Sequence, residues 1–280
     1  MSTGRTNGWV AMSKPQGKCI FCDGYGLTKE HIWAAWLNPY LPKNVVNHKY
    51  FSETIFPERS VHETKIKPGS AQSGRLRRVC LSCNTGWMSK LQEQTKPVLL
   101  PLILGQSSFL HRKAQSILSA WIAMFVMVAE FLDKTGTRVV ISSKDRLLLK
   151  TDLRAPANMK IWIGCYERDK WKGVWIHVTI PISDEDHASQ RSEFGVDFPN
   201  TQTTTFVIGK LYIHVLSSEI VSIVRNNEMR RGAKALLYRI HPLKNSPLGW
   251  PPPVRITDQD ADTIASAFGE RARRNLIFGS

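Results

Sequence analysis

The chain has 280 residues, 42% of them hydrophobic and 22% charged, which excludes collagen-like, mucin-like and disordered classes and leaves one large domain or two small ones, with two expected. Its formal net charge of +15 is concentrated at the front, where residues 1–113 hold 16 Lys and Arg against 6 Asp and Glu, while the remainder holds 22 against 17. A cationic surface attracts phosphate backbones by Coulomb attraction and counterion release, so polyanions are the natural partners.

Residues 1–17 are polar and Gly-rich and have no apolar segment of the kind a secretory signal needs, so a cytoplasmic location is expected. Five cysteines in such a chain argue against a disulfide framework. Four of them are paired as C-x-x-C, Cys19 with Cys22 and Cys80 with Cys83. Two-residue spacing lets both thiolates of a tight turn face one ion, and Zn²⁺ accepts four such sulfurs tetrahedrally, so these four are the expected ligands of a structural zinc. After the first pair come Leu27, Thr28, Lys29, Glu30, His31 and Ile32. Trp33, Trp36 and Leu37, with Trp87, Met88 and Leu91 further on, recur at intervals of three and four and are expected to enter the core.

The 57 residues between Cys22 and Cys80 are long for a compact hairpin, so residues 44–70 are expected to be an insertion; they hold His48 and His62. Lys65, Lys67, Arg75, Arg77 and Arg78 form a basic run that is either a solvated face or a set of phosphate contacts, and the second is preferred. The second cysteine pair runs directly into Asn84, Thr85, Gly86, Trp87 and Met88.

The order C-x-x-C, Glu-His, C-x-x-C-Asn resembles the HNH endonuclease family, in its zinc-bearing group with two C-x-x-C knuckles, over residues 17–97. The resemblance implies a treble-clef ββα-metal module with one catalytic divalent ion beside the structural zinc. It gives His31 the part of general base, and Glu30 and Asn84 the part of ligands for catalytic Mg²⁺ or Mn²⁺. These chemistries suit the residues, since imidazole titrates near neutral pH and carboxylate and carboxamide oxygens are hard ligands. The chain departs from the family in having Arg75 where an Asn commonly precedes the third cysteine, and Ala34 where a Pro commonly follows the base. Asn44 and Asn47 are the substitutes at hand for the middle Asn.

Beyond residue 97 only architecture is legible. Residues 117–132 read ILSAWIAMFVMVAEFL, shorter than the ~20 residues a bilayer span needs and interrupted by Glu130, so residues 112–133 are expected to form a buried core helix with no membrane contact. Strands are expected at 137–142, 160–166, 174–182, 203–208 and 211–216, the last two joined at Gly209 and Lys210. Cys165 is expected in the core. Residues 184–201 read as a loop, and residues 242–253 as an irregular connection. A closing helix over 258–275, capped by Thr257 or Asp258, carries Arg271, Arg273 and Arg274 in its last turns.

The fold class expected is α+β: an amino-terminal zinc treble-clef ββα-metal module (1–97) and a carboxy-terminal domain of mixed sheet and helix (98–280). The expected activity is hydrolysis of phosphodiester bonds, with DNA ahead of RNA as partner. The competing readings are a catalytically silent zinc module that binds nucleic acid or protein, and a purely structural zinc site. Oligomeric state is not readable, and no Gly-rich phosphate loop, G-x-S-x-G or H-E-x-x-H is present.

Overall fold

The computed structural model describes residues 17–41, 47–55, 60–68, 74–132, 139–168, 175–182, 199–227, 229, 231–243 and 245–277. The chain is mixed α+β. After the first cysteine pair come β1 (Leu27–His31), a short 3-10 turn (Ala35–Tyr40), β2 (Asn47–Ile55), β3 (Ser60–Pro68) and β4 (Arg75–Cys80). A single turn α1 (Leu81–Cys83) continues through a wider π turn (Asn84–Met88), kinked at Gly86, into α2 (Ser89–Leu104). β5 (Ser108–Leu110), α3 (Arg112–Ala129), α4 (Ser143–Asp152), β6 (Met159–Cys165) and β7 (Trp175–Ile180) follow. The remainder comprises β8 (Thr201–Ile208), β9 (Leu211–Ser218), α5 (Val221–Asn226), α6 (Arg231–Leu236), β10 (Tyr238–His241), β11 (Leu248–Trp250) and α7 (Asp258–Ile277).

β1 and β4 form a two-stranded antiparallel pair, and seven strands make a second sheet in the order β10-β6-β9-β8-β7-β2-β3. The insertion expected over residues 44–70 contains the hairpin β2–β3, and β2 joins the larger sheet by parallel pairing with β7. β6, β8 and β9 are buried along their whole length, and so read as near-continuous runs rather than alternating ones. Ile161, Ile163, Phe206 and Ile213 share a core with α3. Trp162, Tyr212 and Leu216, on alternate positions, pack with Ile264 and Ala265 of α7. The sheet therefore lies between α3 on one face and α6 and α7 on the other.

The expected core helix is α3, the one helix among the described residues long and apolar enough to cross a membrane, and 83% of its apolar window is buried inside the molecule. The cysteine-bearing front belongs to the same core. Trp33 packs its ring 4.5 Å from that of Phe125 on α3 and 5.8 Å from that of Phe206 on β8. Trp33, Leu37, Met88 and Leu91 are buried as their spacing predicted, while Trp36 and Trp87 are partly so.

The β8–β9 hairpin turns at Gly209, with φ +55; a Cβ there would lie 2.6 Å from the Ile103 carbonyl oxygen, which accepts a 2.8 Å bond from the Lys210 amide. The strand expected over 137–142 is not formed by its described residues, 139–142. Val140 and Ile141 are buried, but the Ile141 amide donates to the Glu130 carboxylate instead of to a ladder, and Ser142 caps α4 by accepting from the Asp145 amide. The connection at 242–253 includes β11, which pairs with β5. α7 is capped as expected: Thr257 Oγ1 accepts from the Asp260 amide, and the Asp260 carboxylate accepts from the Thr257 amide. The side chains of Arg271, Arg273 and Arg274, and most of the expected loop at 184–201, lie outside the described residues.

Candidate functional site

The four paired cysteines converge. Their sulfurs all lie within 4.8 Å of one another, with Cys22 Sγ 3.6 Å from both Cys80 Sγ and Cys83 Sγ. A tetrahedron of ~2.3 Å metal–sulfur bonds has edges of about 3.8 Å, so the cluster has the dimensions to hold a metal ion such as zinc.

Local backbone bonds build this cage. The Cys19 amide donates to the Gly24 carbonyl and the Asp23 amide to the Cys19 carbonyl, which closes the first turn. The Ile20 amide donates to Arg78 O, and the Leu81 amide to Gly26 O, which docks the first turn onto β4 and the second cysteine pair. Gly26 makes that approach at φ +81, a region glycine enters without steric cost.

The thiols behave as a group that wants a cation. Burial pushes Cys19 up, although the backbone N–H groups of Cys80 and Phe21 aim at its sulfur. Burial and the neighbouring cysteines push Cys83 up further still. Burial also acts on Cys80, but hydrogen bonds from Ser82, the Cys83 backbone and Cys22 outweigh it and bring this thiol down to about 6. One thiolate forms readily among four sulfurs, and the next ones need a positive partner. Cys165 is fully buried in β6, away from this cluster, as its apolar setting predicted.

Glu30 and His31 end β1, one strand away from the cysteines. Thr28 pairs with Val79 and Glu30 with Leu76, so β4 carries one extra residue between them. Such a bulge re-aims the side chains beyond it. Both Glu30 and His31 are half-buried and line one small cleft of about 20 Å³, together with Met88 and Gln92 of the following helix and Trp121, Met124, Phe125 and Val128 of α3. A single water needs roughly 10–15 Å³ by the same kind of measure, so the cleft has room for about one water or ion.

Asn84 touches Glu30 but does not line this cleft. Its amide hydrogen-bonds the Glu30 carboxylate, and its Nδ2 donates to Thr28 Oγ1 at 3.3 Å, while Thr28 in turn donates to Val79 O. Burial raises the Glu30 carboxyl above the ordinary carboxylate range, and the Asn84 bond only partly opposes it. The position of Asn84, immediately after the buried Cys83, ties it to the metal cage.

The five basic residues divide between two places. Arg75, Arg77 and Arg78 are exposed on β4, with Arg75 directly opposite His31 and Arg78 stacked over the Phe131 ring at 4.8 Å. Lys65 and Lys67 lie on β3, at the edge of the larger sheet, paired with Tyr50 and His48; their side chains are outside the described residues. Nothing in the family models, the curated proteins or the solved structures matches this chain. The chemistry of the site therefore rests on these residues alone.

Two residues join the site to which the sequence reading gave no part. Thr28 braces Asn84, and Gln92 reaches the cleft from α2. The signal for Gln92 was present, because residues 84, 88 and 92 follow one another at helical spacing.

Proposed function

We propose that the chain is a metal-dependent endonuclease of the HNH type, acting on DNA ahead of RNA. In this reading Cys19, Cys22, Cys80 and Cys83 hold a structural Zn²⁺, and the first knuckle, the β1–β4 pair and the helix leaving Cys83 form the treble-clef ββα-metal unit. Glu30 and Asn84 Oδ1 would hold Mg²⁺ or Mn²⁺, and His31 would take the proton from the attacking water. Asn84 Oδ1 accepts no hydrogen bond from any described residue, which leaves it available for that part.

The observation that carries the reading is the meeting of Glu30 and His31 at one ion-sized cleft, with the Asn84 amide on the Glu30 carboxylate. Bound there, the divalent ion would supply charge stabilisation on the phosphorane and the leaving oxygen. Arg75 and Arg77, exposed beside the cleft, would place the phosphodiester and set the salt dependence of binding.

A competing reading, a catalytically silent metal module that binds nucleic acid or protein, draws support from the apolar wall that Trp121, Met124, Phe125 and Val128 give the cleft. Incubating the full chain with supercoiled plasmid, single-stranded DNA and RNA, in Mg²⁺, Mn²⁺ or chelator, separates the two. The nuclease reading expects nicking that needs the added divalent ion. Tight, salt-sensitive binding without cleavage of any substrate would favour the silent module.

A further inference from the structure

The sheet face turned toward α6 and α7 leaves unfilled space. A cavity of about 610 Å³ lies there, walled by Trp162, Leu216, Leu236, Ile264 and Phe268. Protein interiors are packed as densely as organic crystals, and voids of this size fall in the range of small-molecule sites, roughly 300–1,000 Å³.

The floor of the cavity is polar, which a mere packing defect would not be. His214 and Thr203 both line it and are only 4% and 2% exposed. Thr205 is the cross-strand partner of His214, and Thr203, two residues along β8, lies on the same face. His214 Nδ1 sits 2.8 Å from Thr205 Oγ1, while His214 Nε2 and Thr203 Oγ1 have no hydrogen-bond partner among the described residues. Two polar groups thus line one mainly apolar space, and a ligand that hydrogen-bonds to them is held there in a defined orientation.

We propose that this cavity binds a small, mainly aromatic molecule, uncharged or cationic, whose carbonyl, hydroxyl or ring-nitrogen edge seats on His214 Nε2 and Thr203 Oγ1. The charge preference follows from the lining, which includes the carboxyl groups of Asp260 and Glu270. Burial lowers the His214 pKa to about 4, so the ring is neutral near pH 7 and offers an anion no counter-charge. Trp162 and Phe268 supply the aromatic walls. The cavity lies on the sheet face opposite the one covered by α3, so it is a site separate from the Glu30–His31 cleft and does not depend on the nuclease reading.

The test uses the full chain with its metal and the neutral carbonyl-bearing dye 6-propionyl-2-(dimethylamino)naphthalene, with the anionic dye 8-anilinonaphthalene-1-sulfonate as contrast. The expected result is saturable 1:1 binding of the neutral dye with blue-shifted emission. Affinity should fall tenfold or more both in Ala267→Trp, which fills the cavity, and in His214→Phe, which keeps the ring and removes its nitrogens. Circular dichroism and metal content establish that the variants fold; if Ala267→Trp does not, His214→Phe decides alone. Absence of saturable binding, equal binding by wild type and folded variants, or tighter binding of the anionic dye would each overturn the proposal.

Discussion

At the scale of single residues, the site depends on groups that are held rather than free. Asn84 is fixed by Thr28 on one side and by Glu30 on the other, and its backbone is fixed by Cys83 one position before it. The clustering of the four cysteines was legible in the sequence because each C-x-x-C pair is local and its chemistry is specific. His214 was not. An isolated histidine in an apolar run gives no sign of the cavity that its strand pairing creates with Thr203 and Thr205.

The same histidine makes a pH-dependent contribution. Its folded pKa of about 4 lies below the ordinary value of 6.5, so between those limits the unfolded chain binds the extra proton. The corresponding stability is complete above about pH 6.5 and is lost as the pH falls toward 4. Urea unfolding at pH 7 and at pH 5 should show wild type losing about 2 kcal/mol more than His214→Gln over that interval. Equal losses would mean that His214 does not carry the effect. His241, also lowered by burial, acts in the same direction and is present in both proteins.

At the scale of elements, α3 and α4 are joined by a buried pair. Arg146 donates to the Glu130 carboxylate, to Met127 O at 2.6 Å and to Ile141 O, and Glu130 also accepts from the Ile141 amide. Each charge is satisfied, so removing one partner leaves the other stranded. Arg146→Ala should cost about 3–5 kcal/mol, and replacing the pair together by Gln and Met should cost clearly less. Thermal unfolding of the single and double variants measures this, and equal losses would contradict the assignment.

This pair also explains why α4 went unread. Its buried residues are Arg146 and Leu149, so an arginine stands where the periodicity needs an apolar side chain. The run at 137–142 misled for the converse reason: Val140 and Ile141 are buried in the core without entering a ladder. β6, β8 and β9 were readable because strands buried on both faces leave long apolar and threonine-rich runs. The parallel pairing of β2 with β7 joins residues more than a hundred positions apart, and no local pattern encodes it.

At the scale of the whole molecule, the cysteine cage and the larger sheet share one core through Trp33, Phe125 and Phe206. A structural metal that fixes the first turn therefore supports more than the front residues. Stripping it with a strong chelator should lower the thermal midpoint of the entire chain in one cooperative step, read by far-UV circular dichroism and tryptophan fluorescence together. Two separated transitions would show instead that the front unit unfolds alone.

The +15 balance directs attention to phosphate. The central claim concerns what the Glu30–His31 cleft does with it. The most direct measurement is single-turnover cleavage of plasmid DNA in Mn²⁺ by wild type and by His31→Ala, with bound zinc and circular dichroism measured on the same samples. The account predicts that His31→Ala keeps its zinc and fold and loses cleavage by roughly 100-fold or more, as the removal of a general base does. A well-folded, zinc-loaded His31→Ala protein that cuts as fast as wild type would contradict it.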